Sequence, residues 1–351
     1  MSGQTNLLEN PVLLGHVKKG LDAIYSFDFE EGERQIQEVS KYTTDHPALY
    51  FLKGFEIYWK YFPLTPDSEK APEFIEMMEE CIRISRDRLD KNENDLEAIF
   101  FDLFGRSFYV MFWADNGKPA KVFPHLNILY RHTVEGFDLM HVFNEFYFTT
   151  GLYNYYIEAY PEKHPAYKPI VALFQDGDKV KGLEELKYCA NHAVFLRVEA
   201  KLFLSLLYMN YENNPDSASV YAAELYNEFP ENPYYAGNYL EILIYNKKYF
   251  FAPIILDRLK NDDNEFSRMQ YNLFMAMYLE KYEKKYTESK KLYDIAVELS
   301  LRYGYFADHY TAMAYMGLGR YYARKGNDSK ANKYFRDAGK NTAYDYVLLD
   351  R

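Results

Sequence analysis

Apolar and small residues recur along the chain at intervals of three and four, the spacing that gathers side chains on one stripe of an α-helix. The pattern is clearest toward the C-terminal end, where Tyr315, Leu318, Gly319 and Tyr322 share a stripe. It stops at Lys325-Gly326, where glycine supplies the left-handed residue past a helix end. Asn327-Asp328-Ser329 then offers a capping side chain for a second helix, in which Ala331, Phe335 and Ala338 fall on one face. Two helices joined by so short a turn pack antiparallel. Small residues at Gly319 and Ala331 predict a close approach of the two backbones, with Tyr315, Tyr322 and Phe335 filling the wider gaps.

The same alternation predicts about eight helix pairs, spanning 12–43, 47–90, 95–141, 142–190, 195–230, 233–261, 265–303 and 308–340. Pro63-Leu64-Thr65-Pro66 and the stretch from Pro161 to Pro165 read as loops. No Ser/Gly-rich linker divides the chain. The expected organisation is an N-terminal extension over 1–11, a single α-solenoid over 12–340 and a C-terminal tail over 341–351. The fold class is all-α.

The last window resembles the tetratricopeptide repeat (TPR), a helix–turn–helix unit of 34 residues. Tyr315, Leu318, Gly319, Tyr322, Gly326, Ala331, Phe335 and Ala338 occupy its consensus places in register, with Ala343 where the family usually ends in proline. Leu204, Ser205, Tyr208, Ala218, Ala222 and Leu225 match more loosely, as do Phe274, Ala276, Leu279, Tyr293 and Ala296. The resemblance implies a right-handed TPR-like superhelix whose first helices line a concave groove. In the last repeat the positions flanking the packing stripe are Met313, Met316, Arg320, Ala323 and Arg324. The chaperone-tail type of TPR carries a Lys/Asn/Arg carboxylate clamp there. Only Arg320 and Arg324 suit it, so chaperone-tail binding does not follow. A second stretch, 148–208, is similar to the eukaryotic TPR proteins tied to inclusion-body clearance at lipid-droplet contacts. It carries Gly151-Leu-Tyr-Asn154, Pro161, Gly177-Asp178, Gly182-Leu183, Leu186 and the run from Phe195 to Ala200. No activity is carried over from it.

Composition narrows the function. Aromatics make up 19% of 351 residues, with 37 Tyr, 26 Phe and 2 Trp, which excludes a disordered chain. The net charge is −11, which disfavours phosphate-backbone binding and adsorption to anionic membranes. No apolar run approaches the length of a membrane-spanning helix. The first ten residues have no basic or apolar signal region, so a cytoplasmic protein is expected, or a periplasmic or secreted one if a signal peptide was removed. Cys81 and Cys189, the two cysteines, read as buried, unpaired thiols.

Candidate chemistry is sparse. The eight histidines, at 16, 46, 125, 132, 141, 164, 192 and 309, form no metal-ligand spacing and read as surface or loop-cap residues. No phosphate-cradling loop occurs. The pairs Glu30-Glu31, Glu79-Glu80, Glu184-Glu185 and Asp262-Asp263 read as solvated surface. No catalytic residue, metal or cofactor is expected. Neighbouring tyrosines around Asn154 cannot all face one core, because adjacent helix positions lie about 100° apart. Tyr153, Asn154, Tyr156 and Tyr235, with Arg320 and Arg324, are therefore the candidate binding residues. The expected function is a non-catalytic scaffold that binds a protein, peptide or extended ligand in an aromatic-lined groove. The alternative is an (α/α) toroid enzyme acting on carbohydrate. It is disfavoured by the scarcity of Trp and by the helix-pair consensus. The expected ligand is basic or neutral, unless local patches such as Arg320 and Arg324 reverse the overall charge.

Overall fold

The computed structural model describes residues 6–163, 165 and 168–351. Residues 1–5 of the expected extension and His164 lie outside the described residues. Among the described residues there is no strand. Helices follow one another as α1 (Pro11–Tyr25), α2 (Phe29–Tyr42), α3 (Pro47–Lys60), α4 (Ala71–Leu89), α5 (Leu96–Asp115), α6 (Pro119–Leu139) and α7 (Phe146–Lys163). A short α8 (Lys168–Val171) precedes α9 (Lys179–His192), α10 (Arg197–Asn210) and α11 (Pro215–Glu228). The remainder are α12 (Pro233–Tyr245), α13 (Ala252–Asn261), α14 (Glu265–Tyr278), α15 (Tyr286–Ser300), α16 (Asp308–Arg324), α17 (Asp328–Asn341) and α18 (Asp345–Leu348). The eight predicted pairs correspond in order to α1–α2, α3–α4, α5–α6, α7–α9, α10–α11, α12–α13, α14–α15 and α16–α17. None of these helices is long and apolar enough to cross a membrane.

Local chemistry explains where the helices start. Asn10, Asp28, Asp95, Asp178, Asn214 and Asn327 each accept a backbone N–H three residues on, and Pro opens α1, α3, α11 and α12 at its first turn. The predicted turn before α17 is present: Gly326 has φ +68°, and Asn327 Oδ1 accepts from Lys330 N at 3.1 Å. A Cβ added at Gly319 would overlap the Phe335 ring, and Ala331 is buried, so the last pair packs as its consensus implies. Pro161 is a correction. It lies inside α7 rather than in a loop, close enough to the helix end that its missing N–H interrupts only the final turn.

The chain divides into two compact units, one ending at Lys201 and the other beginning at Leu202. In unit 1, rings of α3 and α5 fill the centre, with Phe51 stacked on Phe104 at 4.5 Å and Phe55 edge-on to Phe108 at 5.3 Å. Glycine sets the α7–α9 approach: a Cβ on Gly182 would stand 2.6 Å from the Gly151 carbonyl oxygen. Two buried carboxylates fasten distant backbone. Glu97 accepts from Leu7 N and Leu8 N at 3.0 and 2.6 Å, so this part of the expected extension is pinned. Glu145 accepts from Val194, Phe195 and Leu196 N at 2.6, 3.1 and 2.8 Å.

In unit 2 the first helices of successive pairs, α12, α14 and α16, pack directly on one another. They enclose one apolar cluster that includes Leu240, Leu273, Met277, Met313 and Met316. Val347, from the expected C-terminal tail, is fully buried in the same cluster.

Candidate functional site

A group of charged side chains in unit 2 lies where α14 ends beside α16. α14 continues into a π-helical turn, Leu279–Glu283, closed by Lys284 in the left-handed conformation at φ 61°. The wider turn carries two adjacent charges, Glu280 and Lys281, to the face shared with α16. Arg320 meets Glu280 through Nε–Oε1 at 2.9 Å and Nη2–Oε2 at 2.6 Å. Arg324 Nη1 donates to the same carboxylate at 2.6 Å, and the Tyr293 hydroxyl donates to it at 2.7 Å. Burial pushes the Glu280 carboxyl up. The Arg320 and Arg324 partners outweigh that and hold it down at about 2.

The segment after α17 closes this group. Arg320 Nη1 donates to the Asp350 carbonyl at 2.5 Å and to its Oδ2 at 2.9 Å. Lys281 Nζ holds both Asp350 carboxylate oxygens, at 2.5 and 2.6 Å. Burial lowers the Lys281 ammonium below its ordinary value despite that partner. At the other end of the segment, Tyr346 donates to Glu241 Oε1 at 2.6 Å and lies 3.1 Å from His309 Nε2, which itself meets Glu241 at 2.8 Å. The Tyr346 ring stands edge-on to Tyr245, with centroids 4.8 Å apart.

Beside Arg324 opens a cavity of about 520 Å³ whose lining includes Lys284, Lys285, Tyr286, Tyr321 and Lys325. The Arg324 guanidinium sits 4.5 Å over the Tyr286 ring, and Lys325 Nζ lies 5.9 Å from the Tyr321 ring centre. This is a locally basic, aromatic recess on a chain of net charge −11.

The sequence-predicted site residues separate. Arg320 and Arg324 come together here, but Arg320 is only 6% exposed and serves the buried ion pair, while the Arg324 side chain keeps 41% of its surface. Tyr235, 2% exposed, is core rather than groove. Asn154, 4% exposed, donates to Glu185 at 2.9 Å and ties α7 to α9. Tyr153 donates to the Gln175 carbonyl at 2.7 Å, and burial with Tyr130 alongside pushes its hydroxyl up to about 12. Tyr156 is half-buried, edge-on to Tyr155 at 5.6 Å. Met313 and Met316, expected on the groove, are buried. Glu241, Tyr245, Glu280 and Lys281 were not singled out by sequence; no motif marks them.

Other polar clusters are structural. His46 caps α3, as expected of a loop-cap histidine, but is buried and meets Glu97 at 2.9 Å. His132, buried between Asp102 and Glu135 at 3.0 and 2.7 Å, is neither a surface nor a loop-cap residue. Glu185 is buried too, unlike its neighbour Glu184. Cys81 and Cys189 are free and buried, and burial raises both thiols well above their usual range. Among the described residues no group of three or more His, Cys, Asp or Glu is placed to hold a metal ion.

No family model matches the chain, and no curated protein matches it. Among solved structures the chain is similar to one described as the crystal structure of the yeast Tom70, at 14% identity and a TM-score of 0.41, over 87% of this chain and 62% of that one.

Proposed function

We propose that the protein is a non-catalytic, TPR-like binding scaffold whose working surface is the first-helix face of unit 2, and that its ligand is a peptide or an extended segment of a partner protein. The observation that carries this reading is the convergence of Lys281, Arg320 and Arg324, from two different first helices, on one face that already holds the segment after α17. Helix-pair proteins use such faces for binding because stacking buries the other sides of each helix. Rings of Tyr245, Tyr286 and Tyr321 add area at low entropic cost. A cytoplasmic setting accords with two unpaired thiols. The similarity of 148–208 to inclusion-body-clearance proteins adds no activity to this reading.

The test is partner capture by the purified chain, compared with Lys285→Glu and Lys325→Glu variants at the rim of the basic recess. Loss of capture with an unchanged helical spectrum supports the assignment. Capture that maps to the second helices, or glycan hydrolysis abolished by mutation of one carboxylate, overturns it.

A further inference from the structure

The segment Tyr344–Asp350 touches the first-helix face of unit 2 the way a bound peptide would. Three of its contacts stand out as anchors: the Tyr346 ring and hydroxyl against Tyr245, Glu241 and His309, the Val347 side chain in the apolar cluster, and the Asp350 carboxylate between Lys281 and Arg320, while Tyr344 and Leu348 pack at the margin of the same cluster. Two of its residues face outward, Asp345, which is exposed, and Leu349, which is 80% exposed. Its own secondary structure is a single helical turn. One aromatic anchor, one apolar anchor and one carboxylate at fixed spacing is the form of a recognition motif.

We propose that Tyr344–Asp350 is a built-in ligand, occupying in cis a site for an acidic, tyrosine-bearing peptide of a partner protein, which displaces the segment when it binds. The proposal rests on the scaffold reading and names the chemistry of its ligand. Three observations favour it. First, Lys281 and Arg320 each give Asp350 charge-assisted bonds. With the segment away, three cations would face the single carboxylate of Glu280, and an incoming carboxylate restores the balance. Second, the face the sequence points to as groove, Met313, Met316 and Arg320, is buried, and the segment supplies part of that cover through Val347 and Asp350. Third, the adjoining recess is net basic, with Lys284, Lys285, Arg324 and Lys325 against Glu288 in its lining. Lys285 is paired with Glu283 at 2.5 Å, which leaves Lys284 and Lys325 for acidic residues flanking the anchor, an extent the chain's own Asp350 does not use. The local charge thus reverses the preference for a basic ligand expected from the net charge.

The test uses the full chain and a fluorescent synthetic peptide with the sequence of residues 342–351. A tethered segment competes at an effective concentration of about millimolar, so the wild-type chain should bind micromolar peptide weakly. A Tyr346→Ala/Asp350→Ala chain should bind it at least about tenfold more tightly, and an Asp350→Lys peptide should lose that gain. A folded double variant with no gain overturns the proposal. Should the variant unfold, hydrogen exchange of the wild-type chain decides. Amides of 344–350 exchanging well before those of α16 support a displaceable segment, and exchange only on global opening of unit 2 overturns it. Partner capture that is equal in wild type and double variant, yet lost in Lys285→Glu, overturns the cis-ligand and leaves the scaffold reading standing.

Discussion

The Arg320 guanidinium and the Glu280 carboxylate, forty positions apart, face each other through two parallel hydrogen bonds at 2.9 and 2.6 Å, with both side chains almost wholly buried. Such a pair is hard to break by halves. Arg320→Met leaves a buried carboxylate short of its main partner and should destabilise unit 2 by about 3–5 kcal/mol. Adding Glu280→Leu should return part of that loss, because the stranded charge goes with it. Urea unfolding of the single and double variants measures both.

The same pair makes stability pH-dependent. The Glu280 carboxyl is held down at about 2, below the ordinary glutamate value of about 4.3. Its contribution is therefore complete above the unfolded value and is lost as pH falls toward the folded one, a loss on the order of 3 kcal/mol. Unfolding midpoints of unit 2 should fall steeply with acid in that window, and Glu280→Gln should flatten the slope.

Glu199 behaves oppositely. Burial pushes its carboxyl up to about 7, despite the hydrogen bond it accepts from Tyr25. The folded state then holds a proton that the unfolded chain has released, so this group's contribution to stability declines as pH rises from about 4.3 to about 7 and is level above that. Glu199→Gln should gain stability relative to wild type between about pH 5 and about pH 8, read by thermal melts across that range.

Glu145 uses both carboxylate oxygens to accept three backbone N–H groups around Phe195. An amide at this place turns one acceptor into a donor pointing at donors. Glu145→Gln should cost about 1–3 kcal/mol, and amide exchange at Val194–Leu196 should rise.

In the last helix pair, Ala331→Leu adds three carbons to a buried contact and should cost about 1–3 kcal/mol. Gly319→Ala should cost comparably, since its Cβ would meet the Phe335 ring. An unchanged melting midpoint for Ala331→Leu would show that this register is wrong.

What was legible in the sequence was what neighbours along the chain decide. Asn327 caps α17 because Lys330 lies three residues on, and Gly319 thins the α16 stripe opposite a ring only sixteen positions away. The eight helix pairs follow from the same local spacing. What was hidden depends on distant partners. Arg320 looks like a groove cation until Glu280 and Asp350 enclose it. Asn154 looks like a binding amide until Glu185, on another helix, takes it. His46 looks like a loop cap, and it is one for Ala48, but its other nitrogen faces the buried Glu97. The fastening of Tyr344–Asp350 left no periodic trace, since its one helical turn is too short to show a stripe.

The bond from Tyr346 to Glu241 joins positions 105 residues apart. Stacked helix pairs ordinarily touch only their neighbours, so such an array can fray from either end, one pair at a time. Here the last element is fastened to α12, α14 and α16 at once. Melting α16–α17 alone would forfeit those bonds as well as its own packing. Unit 2 should therefore lose its structure in one concerted step, and release of the segment should convert that step into gradual unravelling from the C-terminal pair.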